Sequence, residues 1–163
     1  NNLSDRPVTF KWSGMEQGQE LQFLIRRQSD GQALVSAVVR TCAFSIDLSQ
    51  LSLEQGASYA WEVVSVHDTL RSDKTEFVYN PKGAADVLAE LYPDPEYQHA
   101  HPSMQAIMEA YALETAGFYY DAERKYAEAA VAHPRNALLR DARAAFLARM
   151  DLLAEAKTIY RDR

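Results

Sequence analysis

The chain has 163 residues, which is enough for one ordinary domain or two small ones. Hydrophobic residues make up 47% and charged residues 25%, values typical of globular proteins, which excludes a disordered or fibrous chain. Acids and bases are spread along the whole chain with a net charge of −6, so the concentrated basic face of a nucleic-acid-binding protein is not expected. No apolar run approaches the roughly 20 residues of a membrane-spanning helix, and we predict no membrane-spanning segment.

The first half of the chain has the two-residue hydrophobic period of β-strands. Short β-rich or alternating runs cover residues 8–12, 20–28, 34–40, 44–48, 59–66 and 75–79. In the run 59–66 we predict Tyr59, Trp61 and Val63 on one face and Glu62 on the other. Six or seven short strands separated by turns indicate an antiparallel β-sandwich.

Two motifs in this half resemble the fibronectin type III and related immunoglobulin-like domains. Residues 7–12, Pro-Val-Thr-Phe-Lys-Trp, resemble the second strand of that family with its core Trp. Residues 53–63 resemble the family's Leu-x-Pro-Gly-x-x-Tyr corner and the long strand after it, with Gln55 in place of the usual Pro. At about 80 residues the domain is short for the family, and we expect one edge strand to be missing or supplied from elsewhere.

The composition changes near residue 80. Residues 1–80 contain five alanines and residues 81–163 contain twenty, and alanine favours helices over strands. Pro81 and Gly83 lie at the junction, where they interrupt one periodicity before the next begins. We therefore predict a β-sandwich domain at 1–80, a linker with a short capping helix at 81–102, and a helical domain at 103–163.

The helical half repeats itself at a constant interval. The matching pairs are Ala110 with Ala144, Leu113 with Leu147, Ala122 with Ala156 and Tyr126 with Tyr160. This period resembles the tetratricopeptide repeat (TPR), a helix–turn–helix unit of about 34 residues. The resemblance implies a first repeat from Ser103 to Asn136, with Gly117 at its turn, and a second, incomplete repeat from Ala137. At the second turn, Asp151 stands where the first repeat has Gly.

Stacked repeats of this family line a concave face with their first helices. The corresponding side chains of the first unit are predicted partner-binding residues, against the alternative that they belong to the core: Met104, Ile107, Met108 and Tyr111. Family members that grip C-terminal carboxylates use basic and Asn side chains at these positions. This chain has Ile107 and Tyr111 there, so that kind of binding is not expected.

The last helix carries more apolar side chains than one neighbouring helix can cover, namely Leu152, Leu153, Ala156, Ile159 and Tyr160. The repeat register assigns Ala156 and Tyr160 inward, which leaves Leu152 and Ile159 as predicted partner-binding residues. Exposed apolar patches of this kind mark interfaces. We expect self-association, cover by the sandwich, or cover by a further repeat.

Catalytic and metal-binding signals are weak. No phosphate-binding loop, nucleophile elbow or His-Glu-x-x-His helix occurs, so we expect no catalytic residues, no cofactor and no enzyme activity. His99 and His101, with Asp94 or Glu96, could hold a metal, but we interpret residues 94–101 as a solvated linker without one. Cys42, the single cysteine, excludes an internal disulfide and is expected to be buried.

These patterns predict a non-enzymatic protein–protein interaction or scaffolding module, in which a fibronectin-like sandwich is followed by TPR-like hairpins. Its partner would be another protein or a second copy of the chain. The alternative is an accessory substrate- or carbohydrate-binding domain of an enzyme, which exposed aromatic side chains on one sheet face would favour. The chain begins with Asn1 and shows no leader, which indicates a removed targeting segment or a piece of a longer protein. By analogy with sandwich-plus-repeat proteins, a bacterial envelope or secreted protein is favoured, hence a periplasmic or extracytoplasmic location; a cytoplasmic one is the alternative.

Overall fold

The computed structural model describes residues 1–4, 6–14, 19–67 and 70–161. It is a mixed strand-and-helix structure, as predicted, with two compact units, Asn1–Lys82 and Gly83–Arg163. The strands are β1 (Asn2–Leu3), β2 (Pro7–Lys11), β3 (Leu21–Arg27), β4 (Ala33–Val39), β5 (Ala43–Asp47), β6 (Ser58–Ser65) and β7 (Thr75–Tyr79). The helices are α1 (Gly83–Leu91), α2 (Pro95–His99), α3 (Pro102–Thr115), α4 (Tyr119–Ala132), α5 (Ala137–Arg149) and α6 (Leu153–Arg161).

The strands of the first unit form two open sheets. Five strands pair in the order β1-β7-β6-β3-β4, and β2 pairs with β5. All pairs are antiparallel except β1 with β7, which run parallel. In the centre of the larger sheet Phe23 lies opposite Val63.

Aromatic side chains join the two sheets. The ring of Phe10, on β2, lies 5.2 Å from that of Phe23 and 5.3 Å from that of Trp61 between centroids. The predicted alternation in β6 is confirmed, because Tyr59 and Val63 are buried on the same side as these rings. Glu62, on the opposite side, is buried as well, with Arg26 and Arg71 each 3.8 Å from its carboxylate. The core of this unit therefore lies between the sheets, and two arginines cover an acid on the outside.

The helices of the second unit form two hairpins, α3 with α4 and α5 with α6. Their shared core consists mostly of small residues with a few large ones: Ala84, Ala110, Leu113, Phe118, Ala122, Tyr126, Phe146, Leu147 and Ala156. Alanine at the helix contacts lets the backbones approach closely, and Tyr126 and Phe146 fill the remaining space with rings 5.4 Å apart. On the other side of α3, α1 adds the half-buried Val87 and Leu88 to this core.

Three local predictions differ from the structure. Residues 95–99, interpreted as an extended linker, form α2, because the Asp94 carboxylate accepts hydrogen bonds from the backbone N–H groups of Glu96 and Tyr97, and Pro95 occupies the first turn, where proline is tolerated. Cys42 is exposed rather than buried, since it lies in the bend between β4 and β5. Tyr160, assigned inward by the repeat register, is also exposed.

Candidate partner-binding surfaces

The predicted residues of the first surface all lie on α3. We call Met104, Ile107, Met108 and Tyr111 the α3 face. Tyr111 is 60% exposed and Met104 38%, whereas Ile107 and Met108 are half-buried. Two side chains of this face are thus largely exposed, and the other two are partly covered by the protein itself.

Charged side chains fix α3 against its neighbours. Glu114, one turn after Tyr111, accepts hydrogen bonds from Arg149 of α5 at both carboxylate oxygens, at 2.7 and 2.9 Å. This bidentate contact raises the pKa of the Arg149 guanidinium. It ties α3 to α5 beside the exposed ring of Tyr111.

A second polar group joins α2, α3 and α4. The Tyr97 hydroxyl donates to Glu109 at 2.6 Å, and Lys125 approaches the other oxygen of the same carboxylate at 2.5 Å. Burial, and then the hydrogen bond to the Glu109 carboxylate, raise the pKa of Tyr97. The group is occupied by its own contacts and holds the hairpin together.

The second predicted surface lies at the opposite end of the unit. Leu152 is 41% exposed, while Ile159 is half-buried against the core. Sequence reasoning missed Leu153, which is 54% exposed, and Tyr160, which is 42% exposed. We call Leu152, Leu153, Lys157 and Tyr160 the α6 face.

The residues equivalent to the α6 face in the first hairpin are covered by a neighbouring helix. In the first hairpin the residues one period earlier, Phe118 and Tyr126, are only 2% and 1% exposed, because α5 packs on that side of α4. In the second hairpin no helix among the described residues packs on the corresponding side of α6. Leu153 stands one repeat period after Tyr119, which packs against the core, so the period marks Leu153 as an apolar position of the same kind.

The predicted residues do not form one continuous site. The α3 face belongs to the first hairpin, and Leu152 and Ile159 belong to the second. Leu138, at the start of α5, is a further exposed apolar side chain. The structure therefore offers two separate candidate surfaces.

The histidines of the weak metal motif have other contacts. A ring nitrogen of His99 lies 2.6 Å from the carbonyl oxygen of Pro95. His101 precedes α3, and its Nδ1 accepts a hydrogen bond from the Ser103 backbone N–H at 3.3 Å, which caps the helix. Among residues 1–4, 6–14, 19–67 and 70–161, no group of three or more His, Cys, Asp or Glu side chains could hold a metal ion.

Within the part of the chain that the structure describes, every helix is too short or too polar to cross a membrane. No protein-family model matches the chain. No curated protein matches it significantly either.

Proposed function

We propose that the chain is a non-enzymatic protein–protein interaction or scaffolding module and that the α6 face is its principal docking surface. One observation carries this proposal: three apolar side chains at equivalent repeat positions are covered in the first hairpin and exposed in the second. Leu152, Leu153 and Tyr160 stand one repeat period after Phe118, Tyr119 and Tyr126. Contiguous exposed apolar side chains are typical of interfaces.

The first unit is, in this proposal, an immunoglobulin-like or fibronectin-III-like β-sandwich. The order β1-β7-β6-β3-β4 opposite β2-β5, with aromatic contacts between the sheets, supports it. The Tyr59 hydroxyl accepts a hydrogen bond from the Glu54 backbone N–H at 2.8 Å, in the manner of the tyrosine corner of such domains. Domains of this kind serve as rigid spacers or recognition modules in larger proteins.

The second unit is, in this proposal, a pair of TPR-like hairpins. The repeat period and the matching turns of the two hairpins support the assignment. Repeats of this kind recognise other proteins through exposed helix faces. By analogy, we favour a bacterial periplasmic or other extracytoplasmic setting within a larger envelope or secreted protein.

The alternative, an accessory carbohydrate-binding domain, has less support. Carbohydrate sites on sheets need exposed aromatic rings, whereas Tyr59 and Trp61 contact other rings between the two sheets. Among the described residues, the exposed aromatic side chains lie in the helical unit instead, at Tyr111 and Tyr160 on helices and at Tyr92 directly after α1. This distribution favours the protein-binding proposal.

Affinity capture with matched variants tests the function. The chain and its Leu153→Glu, Tyr111→Glu and Val131→Glu variants are immobilised and exposed to extracts and secreted fractions. Val131 is 83% exposed on α4, a helix that carries neither face, so Val131→Glu controls for an added charge. We expect a partner to be retained by the parent and the control and lost by Leu153→Glu. Identical captured proteins for all four would contradict the proposal.

A further inference from the structure

The contact of α5 with α4 shows which features a helix on the α6 face needs. Two α5 side chains, three positions apart and therefore on one side of the helix, contact α4. Phe146 packs its ring on Tyr126, with centroids 5.4 Å apart. Arg143 donates to the Glu123 carboxylate through Nε at 3.2 Å and through its terminal nitrogen at 2.5 Å.

Compared with α4, α6 has an aromatic residue at the same repeat position, but the charged residue beside it has the opposite sign. Tyr160 is the repeat counterpart of Tyr126, and Lys157 is the repeat counterpart of Glu123. Both side chains are exposed, and Lys157 forms no ion pair with any residue that the structure describes. A helix seated here as α5 sits on α4 would place an aromatic ring on Tyr160. It would also need a carboxylate, rather than a guanidinium, opposite Lys157.

We infer that the α6 face binds an amphipathic helix of a different protein that carries Asp or Glu three residues before an aromatic residue. The inference rests on the proposed interaction function and names the chemistry of its partner. Leu152 and Leu153 supply apolar contact area, Tyr160 receives the ring, and Lys157 selects the acid.

A second copy of the chain does not provide such a helix. Within the described helices, the pattern of an acid three residues before an aromatic ring occurs at Glu123 and Tyr126. Both residues are already engaged by α5, through Arg143 and Phe146. Self-association through this pairing would require α5 to separate from α4, and thus the two hairpins to come apart.

The pairing is tested with two stapled helical peptides in a fluorescence anisotropy titration. Both have the sequence of residues 136–150, and one carries Arg143→Glu. We expect the Glu peptide to bind the intact chain about threefold more tightly than the Arg peptide, the scale of one exposed ion pair. Lys157→Glu in the chain reverses the preference, Leu153→Glu weakens both peptides at least tenfold, and Val131→Glu changes neither.

Binding of both peptides with equal affinity, or a preference that survives Lys157→Glu, overturns the inference. Circular dichroism melts of the variants exclude unfolding as the cause. Sedimentation that shows a dimer dissolved by Leu153→Glu identifies a second copy as the occupant and overturns the choice of partner. Slow hydrogen exchange of α6 without peptide, at all concentrations, shows that the protein's own chain covers the face, which also overturns it. If neither peptide binds while Leu153→Glu still abolishes capture of a natural partner, the inference fails and the proposed function stands.

Discussion

Gly117 and Asp151 occupy the same position in the two hairpins and adopt the same left-handed backbone conformation, with φ of 79° and 59°. Each follows the end of the first helix of a hairpin. The hydrogen bonds match as well: Phe118 N–H donates to Leu113 C=O, and Leu152 N–H donates to Leu147 C=O. Both turns thus end a helix with a Schellman motif. The same turn geometry therefore recurs in both hairpins although the residue changes from Gly to Asp. The repeat period is thus a feature of the structure as well as of the sequence.

Asp151→Gly should stabilise the helical unit. The left-handed backbone conformation destabilises a residue that has a Cβ by roughly 1–2 kcal/mol. Replacement by glycine removes this strain, but part of the gain is lost because glycine has more conformational entropy in the unfolded state. We expect the free energy of unfolding to rise by about 0.5–1 kcal/mol, measured by chemical denaturation. Gly117→Ala, the reciprocal change, should lower it. Equal stability of Asp151→Gly and the parent would argue against a strained turn at this position.

Ala156→Leu should destabilise the second hairpin. Ala156 is buried in the core that α6 shares with α5, and a larger side chain there overpacks it at a cost of roughly 1–3 kcal/mol. Ala154→Leu, at an exposed position of the same helix, is the matched control and should be nearly neutral. Thermal unfolding of the two variants measures the difference, and the same midpoint for both would show that α6 does not pack as described.

Tyr59→Phe should weaken the strand unit without changing its packing. The ring keeps its contact with Phe77, at 5.5 Å, but the hydroxyl that accepts the Glu54 N–H is lost. Loss of one partly buried hydrogen bond costs about 0.5–1.5 kcal/mol. Denaturant titration followed by tryptophan fluorescence measures this change. An unaltered unfolding midpoint would show that this hydrogen bond contributes nothing to the stability of the strand unit.

His101→Ala should destabilise α3 because it removes the side-chain cap on Ser103 N–H. We expect a loss of about 1 kcal/mol or less, and a gain for His101→Asp, which caps better and complements the helix dipole. This expectation replaces the sequence-based interpretation of residues 94–101 as a solvated linker. His99→Ala is the control, since His99 contacts the Pro95 carbonyl inside α2. Equal melting curves for His101→Ala and His101→Asp would contradict the cap.

Tyr126 should make the helical unit sensitive to alkali. Burial, with a smaller contribution from the Glu114 carboxylate, raises the pKa of Tyr126 to about 12. The folded state therefore retains a proton that the unfolded state loses near pH 10, the ordinary tyrosine value. Stability is unaffected by this group below about pH 10 and falls as the pH rises toward about 12.

Phenolate absorbance and melting curves recorded across this range test the effect in the parent and in Tyr126→Phe. The parent should lose more stability with rising pH than the variant does. Tyr111→Phe, at an exposed position, should behave as the parent. An identical pH dependence of Tyr126→Phe and the parent would contradict the prediction.

Local patterns in the sequence were sufficient to predict the mixed architecture, because alternation in β6 and the period of the helical half are each set by residues close in the chain. Features that depend on distant residues were not predictable. The parallel pairing of β1 with β7 joins the two ends of the first unit, and the burial of Glu62 requires Arg26 and Arg71 from other segments.

The candidate site shows the same division. Sequence reasoning singled out Leu152, but it assigned Tyr160 inward, because the register alone does not say whether a helix follows to cover it. The sequence alone did not single out Lys157. Its place in the α6 face was recognised only from the structure, in which the equivalent residue of the first hairpin, Glu123, pairs with Arg143.

Helix α1 makes the two outer sides of the helical unit different. It covers the α3 side of the core with Ala84, Val87 and Leu88, whereas no helix among the described residues covers the α6 side. Head-to-tail growth of a filament requires two complementary surfaces on every molecule, and α1 already occupies the position next to α3. The proposed docking at the α6 face would therefore place one partner helix on each helical unit rather than extend a filament.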